Sequence, residues 1–461
     1  MLQFAITRVI TVAAGRFAPG HLGELTQQVP FDMVDAVLAD TRTAQRRVRG
    51  LPSRVVVYLL LAGCLFAELG YRQVWHRLVA GLDGLHVPTP SEAGLTKARR
   101  RVGVAPLRVL FDLLRGPAAT TAGPVRWHRL LVCAIDGTIM SVPDSPANLT
   151  RYGKQRGGVT GGSSYPMLRL VAVVACGTRT IIDAVFGPIS HGETTYARQL
   201  TDSLRRGMLV LADRNFAAGY LLAAVAGTGA HMLVRARTDR SGPKLAVLRR
   251  HRDGSYRSTF GGRLVRIVEA EITVTTTTGT STGVYRLITT LLDHHRHPAD
   301  ALIRLYHERW EIETAYLELK ASILGGRVLR ARTPSGVDQE VYALLVTYQI
   351  LRTAMTDATN STRGIDPDRA SFTVALHAAR DQLVQATGVI ADTAIDLVGK
   401  IGRLVLDNLL PDRRLRINAR TVKRAISKYN ARGPNIDRRT YQATLDINIP
   451  TRPVLTTGPE P

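Results

Sequence analysis

Apolar residues in the first quarter of the chain recur at the spacing of amphipathic helices. The segments FDMVDAVLADT, from residue 31, and GYRQVWHRLVAGL, from residue 70, both follow this pattern. Between them, residues 55–67 form an apolar run bounded by Arg54 and Glu68. A membrane helix needs about 20 apolar residues, so this run predicts a buried core helix and no membrane partner. We therefore predict a helical domain over residues 25–118.

The last helix of this domain is predicted to begin after Ser91, whose side chain can cap the first turn. It carries a run of cations: Lys97, Arg99, Arg100 and Arg101. A basic helix that follows a turn can enter the major groove of DNA. The alternative is the solvated face of an ordinary helix.

In the middle of the chain the pattern changes to buried strands that alternate with helices. LLVCAID, MLRLVAVVACG, RTIIDAVFG, MLVLAD and HMLVRA are short runs rich in Val, Ile and Leu, which are typical of buried strands. A helix from about Glu193 to Arg205 and the helix AAGYLLAAVA separate the later ones. This alternation predicts an α/β sheet with helices on its faces over residues 128–337, with a β-rich insertion at about 238–295.

The remainder of the chain, residues 338–461, is predicted to be mainly helical with a basic tail. Helices are expected from Gln339 to about Thr356 and from Arg369 to about Gln385. The tail segment PDRRLRINARTVKRAISKYNARG is expected to contact DNA or to stay mobile. Residues 1–24 are treated as a separate N-terminal segment.

Charge points to a polyanionic partner. The chain carries 61 basic and 37 acidic residues, a net charge of +24, and a phosphate backbone is the natural partner of such a surplus. Charge alone does not distinguish DNA from RNA or a membrane surface. The cations are almost all arginines, so a lysine in a candidate site, such as Lys320, is less easily explained by the general basic composition of the chain.

The cysteines and the first residues bear on the compartment. Cys64, Cys133 and Cys176 are widely separated and form no CxxC pair, which argues against a zinc knuckle or a disulfide framework. The segment MLQFAITRVITVAAGRF lacks the basic start of a signal peptide, and Arg8 and Arg16 interrupt its apolar run. We therefore expect a cytoplasmic protein, associated with the bacterial nucleoid if it binds DNA.

Two aspartates follow buried strands directly. Asp136 ends LLVCAID and Asp213 ends MLVLAD, and each precedes a polar turn. Strand ends of α/β sheets are where chemistry is usually placed, and neighbouring ends would bring the two carboxylates together. Such oxygen donors favour Mg²⁺. The alternative is that each aspartate only caps the following turn. Asp144 and Asp183 lack this strand-end context.

A third acid lies on the predicted helix ADALIRLYHERWEIETAYLELKA. We take Tyr306 as the origin and rotate by about 100° per residue. Arg309, Glu313 and Lys320 then fall near −60°, −20° and −40°, so one acid shares a narrow stripe with two cations and a phenol. The neighbouring glutamates fall on the far side: Glu308, Glu311 and Glu318. The alternative is an Arg309/Glu313 pair on a solvated helix.

These motifs resemble a known family. LLVCAIDGT, LVLADRNF and the spacing Y-x2-R-x3-E-x6-K are similar to those of the DDE transposases of the insertion-sequence-four family. The resemblance implies a ribonuclease H-like catalytic core and an N-terminal helical domain. It also implies that Asp136, Asp213 and Glu313 hold two Mg²⁺ ions, for which Mn²⁺ would substitute.

The resemblance further implies cut-and-paste transposition of double-stranded DNA. The enzyme would nick at terminal inverted repeats, form and reopen a hairpin, and join the ends to target DNA, with a homodimer pairing two ends. Tyr306 and Arg309 would hold phosphates around an extruded base, and Lys320 would grip the terminal phosphate. Tyr285 occupies the place of a stacking aromatic, although an exposed strand tyrosine is the ordinary interpretation.

Other features are weaker. The glycine-rich RYGKQRGGVTGGSSYP lacks the spacing of a nucleotide P-loop and is expected to form a mobile hairpin beside DNA. His294, His295 and His297 are expected to lie in an exposed turn and not to bind a metal. Two functional alternatives stay open: a catalytically inactive or domesticated DNA-binding derivative, and a ribonuclease H-like, structure-selective nuclease.

Overall fold

The computed structural model describes most of the chain outside its two ends. The described residues are 21–45, 47, 49–82, 87–118, 126–154, 165–277, 279–385, 398–411, 416–418 and 440–450. Nearly all of the predicted N-terminal segment, the centre of the glycine-rich stretch and most of the basic tail lie outside these ranges.

Five helices form the described N-terminal part; four were predicted, and the fifth, after the helix expected to be the last, was not. Their bounds are Phe31–Asp40 (α1), Ser53–Leu65 (α2), Tyr71–Val79 (α3), Glu92–Val102 (α4) and Ala105–Leu114 (α5). Nearly every residue of α2 is buried, which confirms the predicted core helix. No helix in the described ranges has the length and apolar character to cross a bilayer.

The central sheet has the strand arrangement of ribonuclease H. Its first strands are Arg126–Trp127 (β1), Leu130–Ser141 (β2), Met167–Ala175 (β3), Ile181–Pro188 (β4), Met208–Ala212 (β5) and His231–Ala236 (β6). β2, β3 and β4 form an antiparallel meander, β5 lies parallel to β2, and β6 lies parallel to β5. The order β4-β3-β2-β5-β6 confirms the predicted core. The accompanying helices are Pro146–Tyr152 (α6), Glu193–Gln199 (α7) and Gly219–Gly227 (α8).

The β-rich insertion extends this sheet. Its strands are Arg249–Arg250 (β7), Tyr256–Phe260 (β8), Arg263–Thr276 (β9) and Gly279–Thr289 (β10). β10 pairs with β6, so the insertion supplies partners for the backbone groups of a strand that would otherwise be an edge. The C-terminal strands Arg416–Asn418 (β11) and Thr440–Asn448 (β12) continue the sheet beyond β9.

The segment that carries the acid stripe is not one regular helix. It comprises Ala299–Tyr306 (α9), a 3₁₀ turn at His307–Arg309, Trp310–Leu317 (α10) and a π turn at Glu318–Ile323. The expectation of a continuous α-helix is therefore wrong in detail. A 3₁₀ turn winds more tightly than an α-helix and a π turn more loosely, so the two irregularities offset each other along the segment.

Three helices in the C-terminal part complete the described fold: Pro334–Asn360 (α11), Phe372–Val384 (α12) and Gly399–Asp407 (α13). The N-terminal helices share one apolar core with α11 and α12. This core lies on the face of the sheet against which the segment from α9 to α10 also packs. The other face packs against α7 and α8. Because α2 is apolar all round, it needs cover on every side, which α11 and the other N-terminal helices help to supply. The predicted domain bounds stay a prediction.

Candidate active site

The two aspartates follow the last paired residues of adjacent parallel strands. The β2–β5 ladder ends at Ile135↔Ala212, so Asp136 and Asp213 come next on each strand. Asp213 ends its strand as predicted, but Asp136 lies within β2, which continues to Ser141. The strand-end expectation for Asp136 is wrong because β3 keeps pairing with β2 after β5 has ended.

Each aspartate also makes the local turn contact that was its alternative explanation. Asp136 Oδ1 accepts from the N–H of Gly137 at 2.7 Å, and Asp213 Oδ1 accepts from the N–H of Asn215 at 2.8 Å. One carboxylate oxygen can accept more than one bond, so these contacts do not use up the side chains. Each aspartate can therefore cap its turn and still offer oxygens to a metal ion.

Arg309 joins the stripe to the first aspartate. Its Nη2 lies 2.8 Å from Glu313 Oε1, and its Nη1 lies 3.6 Å from Asp136 Oδ2. The guanidinium is buried, so water screens these charges weakly. Glu313, carried by a helix, and Asp136, carried by a strand, therefore face one cation.

The two other stripe residues contact the strands that bear the aspartates. Tyr306 donates to the carbonyl of Ala212, the residue before Asp213, at 3.1 Å. Lys320 Nζ lies 3.1 Å from Thr138 Oγ1, two residues after Asp136. Tyr306 thus contacts the end of β5, while Arg309 and Lys320 contact the middle of β2, and Glu313 is joined to β2 through Arg309.

Two glutamates of the far side, Glu311 and Glu318, are held in a buried ionic network. Arg179 Nε lies 2.9 Å from Glu311 Oε2, and its Nη1 lies 3.2 Å from Glu318 Oε1. Arg352 Nε donates to Glu318 Oε2 at 3.0 Å, and the hydroxyl of Tyr348 donates to the same oxygen at 3.1 Å. Breaking one partner of such a network leaves an uncompensated buried charge, so the network stabilises the packing of this segment in the core.

Tyr316 is a site residue that the sequence reasoning missed. Its buried hydroxyl donates to the carbonyl of Asp136 at 2.6 Å and accepts from the N–H of Ala172 at 3.0 Å. Burial raises the pKa of Tyr316 well above its usual value, as does the neighbouring Asp136, so the phenol stays protonated. A signal was present: Tyr316 follows Arg309 by seven residues, or two helical turns.

Gly137 and Glu193 form a second contact that the sequence did not reveal. A Cβ atom at position 137 would lie 2.7 Å from Oε1 of Glu193, the first residue of α7. Glycine after Asp136 therefore leaves room for the Glu193 carboxyl. Burial raises the pKa of Glu193, Arg169 opposes this shift, and Asp213 adds to it.

Trp310 and Leu317 present apolar surface beside the stripe. Both side chains are exposed and lie two turns apart on α10. The guanidinium carbon of Arg309 lies 5.4 Å from the centroid of the Trp310 ring. An exposed aromatic side chain of this kind is a surface on which a nucleic-acid base can stack.

Two sequence families match this chain. Residues 19–112 match the family described as insertion element 4 transposase N-terminal, and residues 127–350 match the transposase DDE domain. Together these matches cover more than half of the chain. The chain belongs to the insertion-sequence-four family of DDE transposases.

Curated and solved relatives of this transposase carry similar descriptions. It is 26% identical over 417 residues to transposase InsG for insertion sequence element IS4 of Escherichia coli (strain K12), covering 86% of this chain and 91% of the relative. It is 28% identical over 196 residues to the putative transposase InsZ of the same organism, covering 41% and 62%. A piggyBac transposase synaptic complex with hairpin DNA covers 82% of each chain, with a TM-score of 0.41 and 10% identity.

Burial and the neighbouring carboxylates set the electrostatics of Asp136. Burial raises the pKa of Asp136 to about 7, the N–H of Gly137 lowers it, Asp213 and Glu313 raise it further, and Arg309 lowers it. In the described part of the chain no three His, Cys, Asp or Glu side chains stand close enough to enclose a metal ion. Arg309 instead bridges two of the three carboxylates.

DDE transposase domains generally use divalent metals, and the raised pKa of Asp136 predicts that the affinity of such a site, probed with Mg²⁺, would depend on pH. A protonated carboxyl must lose its proton to bind a cation, so affinity should increase with pH up to about 7 and then level off. Calorimetric titration with Mg²⁺ in two buffers of different ionisation enthalpy should detect proton release at pH 6 and almost none at pH 8.5. Equal proton release at both pH values would contradict the assignment.

The same shift has a consequence for stability. The folded pKa of Asp136 exceeds its unfolded value of 3.8, so this carboxyl stabilises the metal-free fold most below pH 4. Its contribution declines as the pH rises from about 4 to about 7, by roughly 1 kcal/mol per pH unit. Comparison with Asp136→Asn at each pH isolates this group from the others.

The structure divides the predicted basic helix into two faces. Ser91 caps α4 as predicted, through the N–H of Gly94. Arg99 lies over the ring of Tyr71, 3.9 Å from its centroid, and Arg101 donates to the carbonyl of Leu51. Two of the four cations therefore pack against the protein, and the exposed ones are Lys97 and Arg100. The role of this helix in DNA binding stays a prediction, and it now rests on Lys97 and Arg100.

Tyr285 lies in β10, half-buried, with the guanidinium carbon of Arg235 4.0 Å from its ring centroid. Burial raises the pKa of Tyr306, and Tyr285 lies close enough to add to that shift. The tyrosine is therefore near the trio and not an ordinary exposed strand residue. Stacking with an extruded base stays a prediction, and one ring face already contacts Arg235.

The histidine loop is only partly exposed. His295 is exposed, but His297 is buried against Trp127, with ring centroids 5.3 Å apart. The expectation of an exposed turn is wrong for His297 because its carbonyl accepts from the buried guanidinium of Arg266, at 2.6 Å. That bond holds the loop against the sheet.

Proposed function

We propose that this transposase cuts and joins DNA at the terminal inverted repeats of an insertion sequence, with Asp136, Asp213 and Glu313 as its catalytic carboxylates. The observation that carries the proposal is their convergence from three distant segments onto one side of the sheet. Arg309 bridges two of them, and Tyr306 is tied to the strand of the third. The relatives described as transposases support the same class of reaction.

The donor chemistry of the trio fits Mg²⁺. Carboxylate oxygens are the ligands this ion prefers, and a cation would offset the burial, and the repulsion from Asp213 and Glu313, that raise the pKa of Asp136. We propose that the three side chains hold two Mg²⁺ ions, with Mn²⁺ as a substitute. Such a pair, when bound, activates an attacking oxygen and stabilises the leaving oxygen of a phosphodiester.

One site can serve every step, because each step exchanges one P–O bond for another. In hydrolysis a water oxygen attacks phosphorus and the 3′ oxygen leaves with a proton. In hairpin formation that 3′-hydroxyl attacks the opposite strand, and in joining it attacks target DNA. We propose this cut-and-paste route through a hairpin, because the cations and aromatics around the trio can hold phosphates and a displaced base.

The roles of the surrounding residues follow from their positions. Lys320 beside Thr138 would grip the terminal phosphate as a point charge. Tyr306 and Arg309 would contact flanking phosphates, for which the hydroxyl of Tyr306 must exchange its bond to Ala212. Tyr285 would receive the extruded base. Pairing of two DNA ends favours a homodimer, and the net charge of +24 favours binding to terminal repeats and target DNA.

The deciding experiment incubates the purified protein with end-bearing duplex, Mg²⁺ and a target plasmid. We expect nicks at the repeat ends, then hairpins, then strand-transfer products. Binding without any nick would instead mean an inactive DNA-binding derivative. Cleavage governed by DNA structure, without joining, would mean a structure-selective nuclease of the same fold.

Replacing Lys320 with alanine should slow the hairpin steps more than the first nick. The first nick needs mainly the carboxylates, whereas hairpin formation needs the terminal phosphate held in place. Gel separation of nicked, hairpin and released products over time measures each step. Lys400→Ala, which removes an exposed lysine on α13, is the control. An equal slowing of all steps, with a lower melting temperature, would contradict the phosphate-gripping role.

A further inference from the structure

Tyr316 links the helix that bears Glu313 to the strand that bears Asp136. It lies three residues after Glu313, and its hydroxyl reaches between two strands of the sheet. Asp136 and Ala172 face each other across the β2–β3 ladder, and the hydroxyl contacts the carbonyl of one and the N–H of the other. The contact is thus to the backbone of the candidate metal ligand itself.

The other contacts between this segment and the aspartate strands are less direct. Tyr306 bonds to the residue before Asp213, and Lys320 bonds to a side chain two residues after Asp136. The Arg309 bridge runs between charged side chains, which must rearrange when a cation enters. Tyr316 alone, among these described contacts, fixes a peptide group of the trio without using a carboxylate oxygen.

We propose that Tyr316 is a positioning residue that sets the separation of the Asp136 and Glu313 carboxylates and thereby the affinity of the site for Mg²⁺. This inference rests on the proposed function. A bridging hydroxyl at Asp136 fixes the depth and rotation of α10 against β2. Misplacement of a catalytic group by about 1 Å can cost about 100-fold in rate, so loss of the Tyr316 hydrogen bonds should have a measurable effect.

The chain offers a matched control for this residue. Tyr348 is also a buried tyrosine with two hydrogen bonds, to the carbonyl of Arg179 and to Glu318. It supports the same segment from its far side and contacts none of the trio in the described structure. Y348F therefore removes a comparable buried hydroxyl without touching the Asp136 strand.

The test compares Y316F, Y348F and the wild type by Mg²⁺ titration. Calorimetry on the DNA-free protein should give an about tenfold weaker Mg²⁺ affinity for Y316F, and cleavage at limiting Mg²⁺ should fall and recover when Mg²⁺ is raised. Y348F should have a lower melting temperature and an unchanged Mg²⁺ requirement. Equal Mg²⁺ affinity in all three proteins would overturn the positioning role.

A second readout needs no variant, in case Y316F does not fold. Amide hydrogen exchange of the wild type should slow around Ala172 when Mg²⁺ is added. A metal ion bound by Asp136 would stabilise the hydrogen bonds of the Tyr316 hydroxyl to Asp136 and Ala172. Exchange around Leu351 on α11 should not change. No slowing around Ala172 would overturn the proposal. Wild-type protein that binds Mg²⁺ but never nicks end-bearing DNA would refute the proposed function. The positioning role of Tyr316 would stand.

Discussion

Substituting Glu313 with glutamine should abolish DNA cleavage, lowering the rate by on the order of 10³-fold or more, while leaving affinity for the DNA ends nearly unchanged. Glutamine keeps the shape of the side chain but loses the negative charge that faces Arg309. The site then lacks one of its anionic oxygen donors. Nicking kinetics on end-bearing duplex and electrophoretic mobility shifts measure the two quantities separately.

Asp300→Asn is the matched control for this substitution. Asp300 is an exposed acid in the first turn of α9, so its loss removes the same charge from the same segment away from the trio. We expect near-normal cleavage from that variant. If E313Q instead loses end binding and its cooperative unfolding transition together, Glu313 serves the fold and the catalytic assignment is wrong.

Changing Arg309 to lysine should reduce cleavage by about 100-fold, the cost of displacing a catalytic group by about 1 Å. The planar guanidinium reaches Glu313 through one nitrogen and Asp136 through another. An ammonium group keeps the charge but cannot reproduce that fork. Single-turnover cleavage at saturating DNA and Mg²⁺ would measure the loss.

Arg309→Ala should add a loss of stability that Mg²⁺ reverses. Removal of the guanidinium leaves the partly buried carboxylates of Asp136 and Glu313 without their shared cation. Breaking a fully buried pair costs about 3 kcal/mol, and partial exposure to water makes the cost here smaller. Urea unfolding with and without Mg²⁺ measures this, and Arg304→Ala, at an exposed position on α9, is the control. A metal-independent loss of stability would mean that Arg309 is needed for packing and not for charge balance.

The candidate site was largely predictable because its signals are local. A buried strand followed by an aspartate, and a helical stripe that selects Glu313 among four glutamates, both depend on residues within a few turns of each other. The stripe prediction tolerates the irregular helix because the tight turn at His307–Arg309 precedes the loose one at Glu318–Ile323. Over the whole segment the rotation stays close to that of an α-helix.

The remaining features depend on contacts between distant residues. Nothing near Glu318 in the sequence indicates that Arg179 and Arg352 will surround it in the core. Pairing of the insertion with β6, and of β12 with β9, depends equally on partners far along the chain. The extension of β2 past Asp136 has the same origin, because β3 decides where that strand ends.

The core shared by the N-terminal helices and α11 limits how such transposases can diversify. α11 buries residues along nearly its whole length, and Thr347 on it donates to the carbonyl of Leu61 in α2. A recombination event that imports another relative's first hundred residues would bring helices shaped for a different α11. Point changes at the exposed positions of α4, where DNA contact is predicted, would leave this core intact, whereas exchange of the whole segment would not.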